Sequence, residues 1–279
     1  MRRENDLPVW FLYGTVSGRS LLKLIQTLHA DRLIVRYLCS RWSRPYIKWY
    51  VRRHGIPLTP EDRRKYRSFR DFFARKREHP GVDVTPEHLT SPCDGWLSTY
   101  PITESSVFKI KGSYYRIEDL LKNRHLAKNY EGGTCLVFRL CASDYHRYCY
   151  IDDGYQGLNH YIEGQLHSVQ PIACETYPVF TLNRRCWCLL ATENFGPVVQ
   201  TEIGALIVGG ISNFEERTRV CRGLEKGHFE LAGSTIVLLF EPGRIALRPE
   251  LEEQFETQRE ARVEQGMWIA NRCGKNKTP

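Results

Sequence analysis

The 279-residue sequence lacks features that would assign it to several common protein classes. No stretch approaches the roughly 20 consecutive apolar residues of a membrane-spanning helix. The apolar run at residues 9–13 is too short for the core of a secretory signal. The ten cysteines follow no disulfide-scaffold pattern, and a chain of this length does not need disulfide bonds to stabilise its fold. We therefore expect a cytoplasmic protein with reduced thiols that lies on a membrane without crossing it.

Acidic residues are absent from residues 32–53, although the chain contains 32 of them and has a net charge of +8. Arginine and lysine alternate there with tyrosine and tryptophan. Cations and amphipathic aromatics suit the headgroup layer of an anionic membrane, where each basic residue contributes on the order of 1 kcal/mol. A basic helical face with its aromatics packed in the core is an equally good interpretation. The stretch carries no nucleic-acid-binding motif, so we expect no nucleic-acid partner.

The composition divides the chain into two regions. Residues 9–53 have a helical pattern that Pro45 interrupts, and residues 66–76 form a short amphipathic helix with an aromatic face. After residue 80 alternating apolar residues dominate, and the tail beyond residue 250 begins as a helix and ends in a polar, frayed segment. We predict an α+β protein, with membrane-docking helices in residues 1–80 and a β-rich catalytic domain in residues 81–279. The predicted strands are 97–100, 107–110, 135–140, 186–191, 198–208 and 236–240, and the predicted short helices are 118–122 and 124–129.

A serine stands immediately before the most apolar of these strands. Ser234 follows Gly233, and glycine allows a neighbouring group to approach its carbonyl closely. This pair suits a reaction in which the Ser234 hydroxyl attacks the Gly233 carbonyl and moves the acyl group from nitrogen to oxygen. The tripeptide Gly-Ser-Thr is also common in tight turns, so by itself it equally indicates a turn that enters a core strand.

Reactive side chains are concentrated in two further stretches. Asp94 lies in an Asp-Gly turn signal before the strand 97–100. His146 and Cys149 follow the strand 135–140, together with Asp144 and Arg147. Small residues near Gly204 imply close packing of the backbone, as expected around a site.

These stretches resemble the phosphatidylserine decarboxylases, a family of pyruvoyl-dependent enzymes. The motifs occur in the family's order and spacing over residues 10–245, which makes chance similarity a poor explanation. The matching motifs are Leu12-Tyr13-Gly14-Thr15 with Gly18-Arg19, Phe69-Arg70-Asp71-Phe72-Phe73-Ala74-Arg75, Ser91-Pro92-Cys93-Asp94-Gly95, Lys111-Gly112-Ser113-Tyr114-Tyr115, Asp144-Tyr145-His146-Arg147, Ser168-Val169-Gln170-Pro171, Asn183 with Arg185, Gly204-Ala205 and Gly233-Ser234-Thr235.

The resemblance implies self-cleavage between Gly233 and Ser234, giving chains 1–233 and 234–279 that remain together as a heterodimer. Ser234 becomes a pyruvoyl group, which acts as the cofactor, so no metal is expected. The implied reaction converts phosphatidylserine to phosphatidylethanolamine and carbon dioxide. The implied location is the cytoplasmic face of the cell membrane, with peripheral binding to anionic phospholipid. Homo-oligomer formation stays open.

One residue departs from the family pattern. The family reads Asp-Tyr-His-x-x-His, and its second histidine belongs to the relay of aspartate, histidine and serine that drives cleavage. Cys149 replaces that histidine here, while His146 keeps the first position, which the family associates with decarboxylation. We predict that His146 is the base, oriented by Asp94, with an imidazole near its usual pKa of about 6.5. The alternative base is a Cys149 thiolate whose pKa Arg147 depresses.

Three other interpretations follow from the same residues. Cys141, His146 and Cys149 form a weak candidate for a metal site, because their spacing matches no known zinc motif. The enzyme can instead decarboxylate another amino acid or amino-acid-headed lipid. The cysteine departure also leaves room for an uncleaved, catalytically silent lipid-binding homologue. Cleavage at Gly233 distinguishes the enzymes from the binding protein.

Overall fold

Helices form the N-terminal layer of the protein. The computed structural model describes residues 7–27, 31–76, 81–110, 113–205, 210–231 and 233–273. Within these ranges no helix has both the length and the apolar character needed to span a membrane. The helices of the first region are α1 (Leu7–Gly14), α2 (Val16–Thr27), α3 (Asp31–Cys39), α4 (Arg44–His54), α5 (Pro60–Arg64) and α6 (Phe69–Phe73).

The break predicted at Pro45 is confirmed. A short 3-10 turn, Arg41–Ser43, precedes α4, and Pro45 lies in the first turn of that helix. Proline is tolerated there because the first amides of a helix have no intrahelical partner. The Ser43 hydroxyl, which is fully buried, accepts a hydrogen bond from the Phe69 amide at 2.8 Å. This contact joins the start of α4 to the start of α6.

The rest of the described chain is dominated by antiparallel strands. The largest sheet has the strand order β12-β7-β9-β10-β14-β5-β2-β16, with β8 paired to β9, and two three-stranded sheets have the orders β1-β17-β15 and β11-β13-β6. The elements are β1 (His88–Thr90), β2 (Gly95–Pro101), β3 (Val107–Ile110), β4 (Ser113–Arg116), α7 (Ile117–Leu121), α8 (Arg124–Lys128), β5 (Thr134–Leu140), β6 (Arg147–Cys149), β7 (Gly154–Gln156), β8 (His160–Ile162), α9 (Pro171–Thr176), α10 (Val179–Leu182), β9 (Arg185–Thr192), β10 (Gly196–Ile203), β11 (Ile211–Asn213), β12 (Thr218–Val220), β13 (Glu225–Phe229), β14 (Ser234–Phe240), β15 (Ile245–Leu247), α11 (Pro249–Gln258), β16 (Ala261–Val263) and β17 (Trp268–Arg272).

Strand β14 lies near the centre of the large sheet and is buried on both faces. Ile236 and Leu238 join one hydrophobic cluster, whereas Val237 and Leu239 join another on the opposite face. Successive side chains of a strand point to opposite faces, so a strand covered on both sides is apolar throughout. Truncating one of these side chains to alanine is expected to cost about 2–5 kcal/mol.

A third hydrophobic cluster attaches the helical layer to this body. It joins Tyr50 of α4 and Phe72 of α6 with Leu231, three residues before Ser234. Some aromatic residues of the basic stretch therefore pack in the core, whereas others are exposed as a membrane-facing surface would require. Tyr50 packs inward, whereas Trp42 is 75% exposed and Trp49 is 52% exposed.

The α+β class and most of the predicted elements are confirmed, but two segments were predicted wrongly. The strand expected at 198–208 ends at Ile203, and residues 206–209 lie outside the described ranges. The part of the tail directly after α11 is not frayed, and residues 274–279, at the end of the predicted polar segment, lie outside the described ranges. It adds β16 to the edge of the large sheet and β17 between β1 and β15.

Candidate active site

Strand ends bring the candidate residues to one edge of the large sheet. Ser234, the first residue of β14, pairs with Leu140, the last residue of β5. Asp94 immediately precedes Gly95, the first residue of β2, which pairs with β5 on its other side. Neighbouring strands run antiparallel, so the start of one lies beside the end of the next. The loop after Leu140, which contains His146, therefore lies between Asp94 and Ser234.

Ser234 is 1% exposed, and Gly233 precedes it at the wall of a cavity. A methyl group built on Gly233 would lie 3.5 Å from the Leu140 carbonyl oxygen and 3.5 Å from Val169 Cγ2, which are ordinary contacts. The backbone of Gly233 does not adopt a left-handed conformation. The uncleaved fold therefore does not require glycine at this position.

His146 is buried and presents one unpaired nitrogen. Its Nδ1 lies 2.9 Å from the Asp144 carbonyl oxygen. A carbonyl can only accept, so Nδ1 donates and Nε2 carries the lone pair of the neutral ring. No group in the described ranges makes a hydrogen bond to this buried Nε2. The ring packs against Phe73 of α6, with the ring centres 4.2 Å apart.

The protonation of His146 differs from our expectation. Burial lowers the pKa of the imidazole to about 4, and the nearby Asp144 carboxylate only partly opposes this shift. A charged imidazolium loses its hydration in such a site, which favours the neutral form. The sequence led us to assume a pKa near 6.5. His146 is therefore neutral at pH 7 as expected, but it is a weaker base than the sequence alone indicated.

Asp94 is near His146 but does not hold it by a hydrogen bond. The carboxylate is 5% exposed, and its Oδ1 accepts from the backbone amide of Gln265 at 2.9 Å. Its negative charge raises the pKa of His146, although less strongly than Asp144 does. Because His146 Nδ1 is bound to the Asp144 carbonyl, that main-chain oxygen orients the ring. The predicted orientation of His146 by Asp94 is not present in the uncleaved chain.

Cys149 lies in β6, and its environment opposes a thiolate. The side chain is fully buried, and its sulfur lies 4.0 Å from the Ser91 carbonyl oxygen. Burial raises the pKa of the thiol to about 12. Arg147, which the sequence offered as a depressing charge, instead forms an ion pair with Glu225. The thiol is therefore protonated at pH 7, which favours a structural role for Cys149; the identity of the base stays a prediction.

Several polar residues around the site had no signal in the sequence. Gln265, between β16 and β17, donates through its side-chain amide to the Pro92 carbonyl at 3.2 Å. Arg262 of β16 forms a 2.8 Å ion pair with the Asp144 carboxylate. Both residues belong to the tail that we predicted to be frayed. Only the pairing of β16 with β2 brings them to the site.

A cavity of about 780 Å³ extends from the helical layer to Gly233. Exposed residues of α3 and α4, such as Tyr37 and Trp49, line one part of it. Buried residues such as Val169 and Leu140 line the inner part. The Tyr50 hydroxyl, also on the wall, donates to the Ala142 carbonyl at 2.6 Å. The cavity therefore connects the basic helices to the cleavage motif through a largely apolar passage.

The alternative of a metal site at Cys141, His146 and Cys149 has no support from the geometry. In the ranges that the structure describes, no three histidine, cysteine or acidic side chains converge as metal ligands. Instead, the Cys141 sulfur accepts a hydrogen bond from Arg139 at 3.2 Å, while Cys149 faces the Ser91 carbonyl.

Known proteins of similar sequence share most of this chain. A sequence profile of the phosphatidylserine decarboxylase family matches residues 69–270. Phosphatidylserine decarboxylase proenzyme 2 of Clostridium acetobutylicum is 39% identical over 259 residues, which cover 92% of this chain and 89% of that protein. The phosphatidylserine decarboxylase proenzyme of Clostridium kluyveri is 35% identical over 262 residues, covering 91% and 88% of the two chains.

The profile match includes the elements that carry Asp94, His146 and Ser234. The profile begins at Phe69 in α6, and this helix supplies the aromatic ring that packs on His146. The profile ends in β17, beyond Gln265. The relatives also cover most of the helical layer, because more than nine-tenths of this chain aligns with the first of them. The chain belongs to the phosphatidylserine decarboxylase family.

Proposed function

We propose that the chain is a proenzyme that cleaves itself between Gly233 and Ser234 and then decarboxylates phosphatidylserine to phosphatidylethanolamine. The observation that carries this proposal is the position of Ser234 at the start of β14, on one edge of the large sheet. The neutral His146 near that edge has a buried nitrogen without a hydrogen-bond partner, which is what a base for the Ser234 hydroxyl requires.

Cleavage needs only groups of this chain and one water molecule. The Ser234 oxygen attacks the Gly233 carbonyl carbon, the peptide C–N bond breaks, and an ester joins the two residues. Loss of the proton on the Ser234 Cα expels the Gly233 carboxylate and leaves a double bond. Water then releases ammonia and leaves a ketone at position 234. Because the attack is intramolecular, positioning can replace an effective concentration of about 10⁵ to 10⁸ M.

His146 and Asp94 have separate tasks in this proposal. His146 Nε2 accepts the Ser234 proton, while the Asp144 carbonyl holds the ring in the required tautomer. The Asp94 carboxylate stabilises the imidazolium through its charge, because that charge favours the protonated ring. A pKa near 4 makes His146 a slow base, which suits a reaction that each molecule performs once.

The residues around Ser234 fit a pyruvoyl group at that position. When formed, the group supplies a carbonyl that binds the substrate amine and accepts the electrons left by carbon dioxide. Gly233 borders the cavity without a side chain, so a substrate in the cavity can approach position 234. The apolar wall formed by α3 and α4 would accept acyl chains, and the buried inner part would exclude water from the reacting amine.

The two products of cleavage would stay associated. The fragment 234–279 contributes β14, which pairs with β10 on one side and β5 on the other. It also contributes β16 and β17, which pair with β2 and β1. The apolar residues 236–240 of β14 would expose a large hydrophobic surface if the strand left the sheet, so hydrophobic burial opposes dissociation.

We also propose that the helical layer docks on the anionic cytoplasmic face of the membrane. Large apolar side chains of α1–α4 project into solvent, among them Trp10, Leu24, Leu33 and Trp42. Close to Trp42, a concavity of about 520 Å³ is lined by cations and no carboxylate: Arg41, Arg44, Lys48, Arg63 and Arg64. Exposed aromatics beside cations that have no carboxylate partner among the described residues match an interface with acidic headgroups.

The deciding experiment measures the chain and its product together. Denaturing gels report cleavage, and release of labelled carbon dioxide is compared between phosphatidylserine and free serine. Two chains and carbon dioxide from the lipid alone are expected. Carbon dioxide from another amino acid or lipid would identify the alternative decarboxylase. A single intact chain without carbon dioxide release would instead identify the silent binding protein.

A further inference from the structure

Among the described residues, the ionisable Arg and His side chains that line the cavity at Gly233 are basic. Its described lining contains Arg53, Arg139 and His54 but no aspartate or glutamate. We propose that the Arg53 guanidinium binds the phosphodiester of the substrate headgroup and so selects a phospholipid over a free amine. The inference rests on the proposed function and deepens it by naming a phosphate subsite.

Arg139 is already committed to protein partners. Its Nη2 lies 2.6 Å from a Glu260 carboxylate oxygen, and its Nε lies 3.3 Å from the other. Its Nη1 donates to the Cys141 sulfur at 3.2 Å. All three nitrogens therefore have partners, and the charge is neutralised at close range. A ligand phosphate would have to displace Glu260 to reach this side chain.

Arg53 differs from Arg139 in each of these respects. It is exposed on the last turn of α4, and it makes no hydrogen bond or ion pair with any described residue. Arginine presents a planar set of donors that matches two oxygens of a phosphate. Binding of a phosphate by Arg53 therefore requires no existing contact to break.

A short series of contacts connects the face of α4 that carries Arg53 to the start of β14. Arg53 is three residues after Tyr50 on α4, so both side chains lie on one face of the helix. Tyr50 bonds to Ala142, two residues beyond Leu140, which pairs with Ser234. In phosphatidylserine the amine and the phosphorus are four bonds apart. With the amine at position 234, the phosphate lies toward α4, and the acyl chains continue toward the exposed aromatics.

A soluble pair of probes tests the subsite without membrane binding or turnover. Glycerophosphoethanolamine carries the phosphodiester and the amine, has no acyl chain, and has no carboxylate to lose. Ethanolamine lacks only the phosphoglycerol part. Calorimetry on the full chain should give at least about tenfold tighter binding of the first probe, the range of a hydrogen bond to a charged group.

Arg52 supplies a matched control. It is also exposed on α4 and has no hydrogen-bond or ion-pair partner in the described ranges, but it does not line the cavity. Arg53→Gln should remove the preference for glycerophosphoethanolamine, Arg53→Lys should keep part of it, and Arg52→Gln should keep all of it. Equal loss in Arg53→Gln and Arg52→Gln, or retention in Arg53→Gln, would overturn the inference.

The outcomes also distinguish this inference from the proposed function. Carbon dioxide release by the wild-type chain tests the function whether or not Arg53 binds the phosphodiester. A chain that decarboxylates phosphatidylserine while Arg53→Gln keeps its probe preference refutes the subsite alone. A chain that releases no carbon dioxide refutes the function, and the calorimetric comparison still decides whether Arg53 binds a phosphodiester. Normal cleavage of Arg53→Gln confirms that the variant is folded.

Discussion

The helical layer and the sheet body use the same residue types in opposite ways. In the body, long apolar side chains such as Leu238 and Phe240 are completely buried. In the layer, Trp42 and Leu33 are more than 70% exposed. Strand β14 has protein against both of its faces, whereas the side chains of Trp42 and Leu33 face solvent in the described part of the chain. The contrast fits the membrane docking that we propose for the layer.

Charged residues show the same contrast. Lys226 and Glu202 are fully buried in the body and pair at 2.9 Å, with Asn213 accepting a second hydrogen bond from Lys226. Arg52 and Arg53 of the layer have no such partner among the residues that the structure describes. A buried charge requires compensation inside the protein, while an exposed charge is hydrated and stays available to a ligand. In these examples the charges of the body pair with each other inside the protein, whereas the charges of the layer are exposed to solvent.

The largest expected effect is at the cleavage site. Ser234→Ala should leave a single chain of 32.6 kDa with no decarboxylase activity, because no hydroxyl remains to form the ester. Intact mass spectrometry should find 1–233 and 234–279 in the wild type, the shorter chain lacking a free amine. Ser98→Ala, another buried serine of the large sheet, is the control and should cleave normally. Cleavage of Ser234→Ala would remove Ser234 from the mechanism.

Replacing His146 should also stop cleavage or decarboxylation, and it should change the response to acid. The folded pKa of about 4 lies below the unfolded value of about 6.5. Between these values the unfolded chain binds a proton that the folded chain does not, so stability falls as the pH is lowered from 6.5 to 4. The loss attributable to His146 is about 3 kcal/mol.

Denaturant unfolding across that pH window measures this contribution. His146→Ala should remove part of the slope of stability against pH, and wild-type cleavage should slow only as the pH approaches 4. The Ser234→Ala background keeps all samples uncleaved for the unfolding comparison. An unchanged slope, or cleavage that slows near pH 6.5, would show that the imidazole is not buried as described.

Breaking an ion pair should have very different effects in the two regions. Lys226→Met leaves the Glu202 charge buried without its partner, which should cost about 3–5 kcal/mol. Lys65→Met breaks the exposed pair with Asp62 in the helical layer and should not measurably change the melting temperature. Thermal unfolding of the two variants provides the comparison. Equal effects would contradict the proposed division of charge between layer and body.

Membrane docking should respond to charge without affecting the body. Replacing Arg36, Arg41, Arg44 and Lys48 with glutamine should weaken binding to anionic vesicles but leave cleavage unchanged. Each lost cation removes on the order of 1 kcal/mol of attraction. Co-sedimentation at rising salt measures this, because exposed charges are screened within about 10 Å at 0.1 M. Equal binding to neutral and anionic vesicles would argue against an electrostatic interface.

The smallest effect is expected at Cys149. Cys149→Ser replaces the buried thiol with a hydroxyl of similar size, and the cleavage time course should remain close to wild type. The buried thiol, whose pKa is about 12, is not a base near pH 7. Cleavage that stops in Cys149→Ser but proceeds in His146→Ala would assign the base to the thiol instead.

The sequence alone determined the family, the α+β class and the main strands. Local signals were sufficient where one residue or one run specifies the structure. Pro45 cannot continue a helix, and residues 236–240 are apolar at every position because both faces of β14 are covered. The order of the motifs likewise predicted cleavage between Gly233 and Ser234, which stays a prediction.

Other features were decided by tertiary structure because they depend on residues distant in the chain. The strands β16 and β17 form in a charged tail because β2 and β1 offer unpaired edges. The pKa of His146 is lowered by burial, in a site that includes Phe73 from another part of the chain. Arg139 is neutralised by Glu260, whereas Arg53 remains available. Sequence spacing contains no information on such contacts, because burial and pairing depend on three-dimensional neighbours.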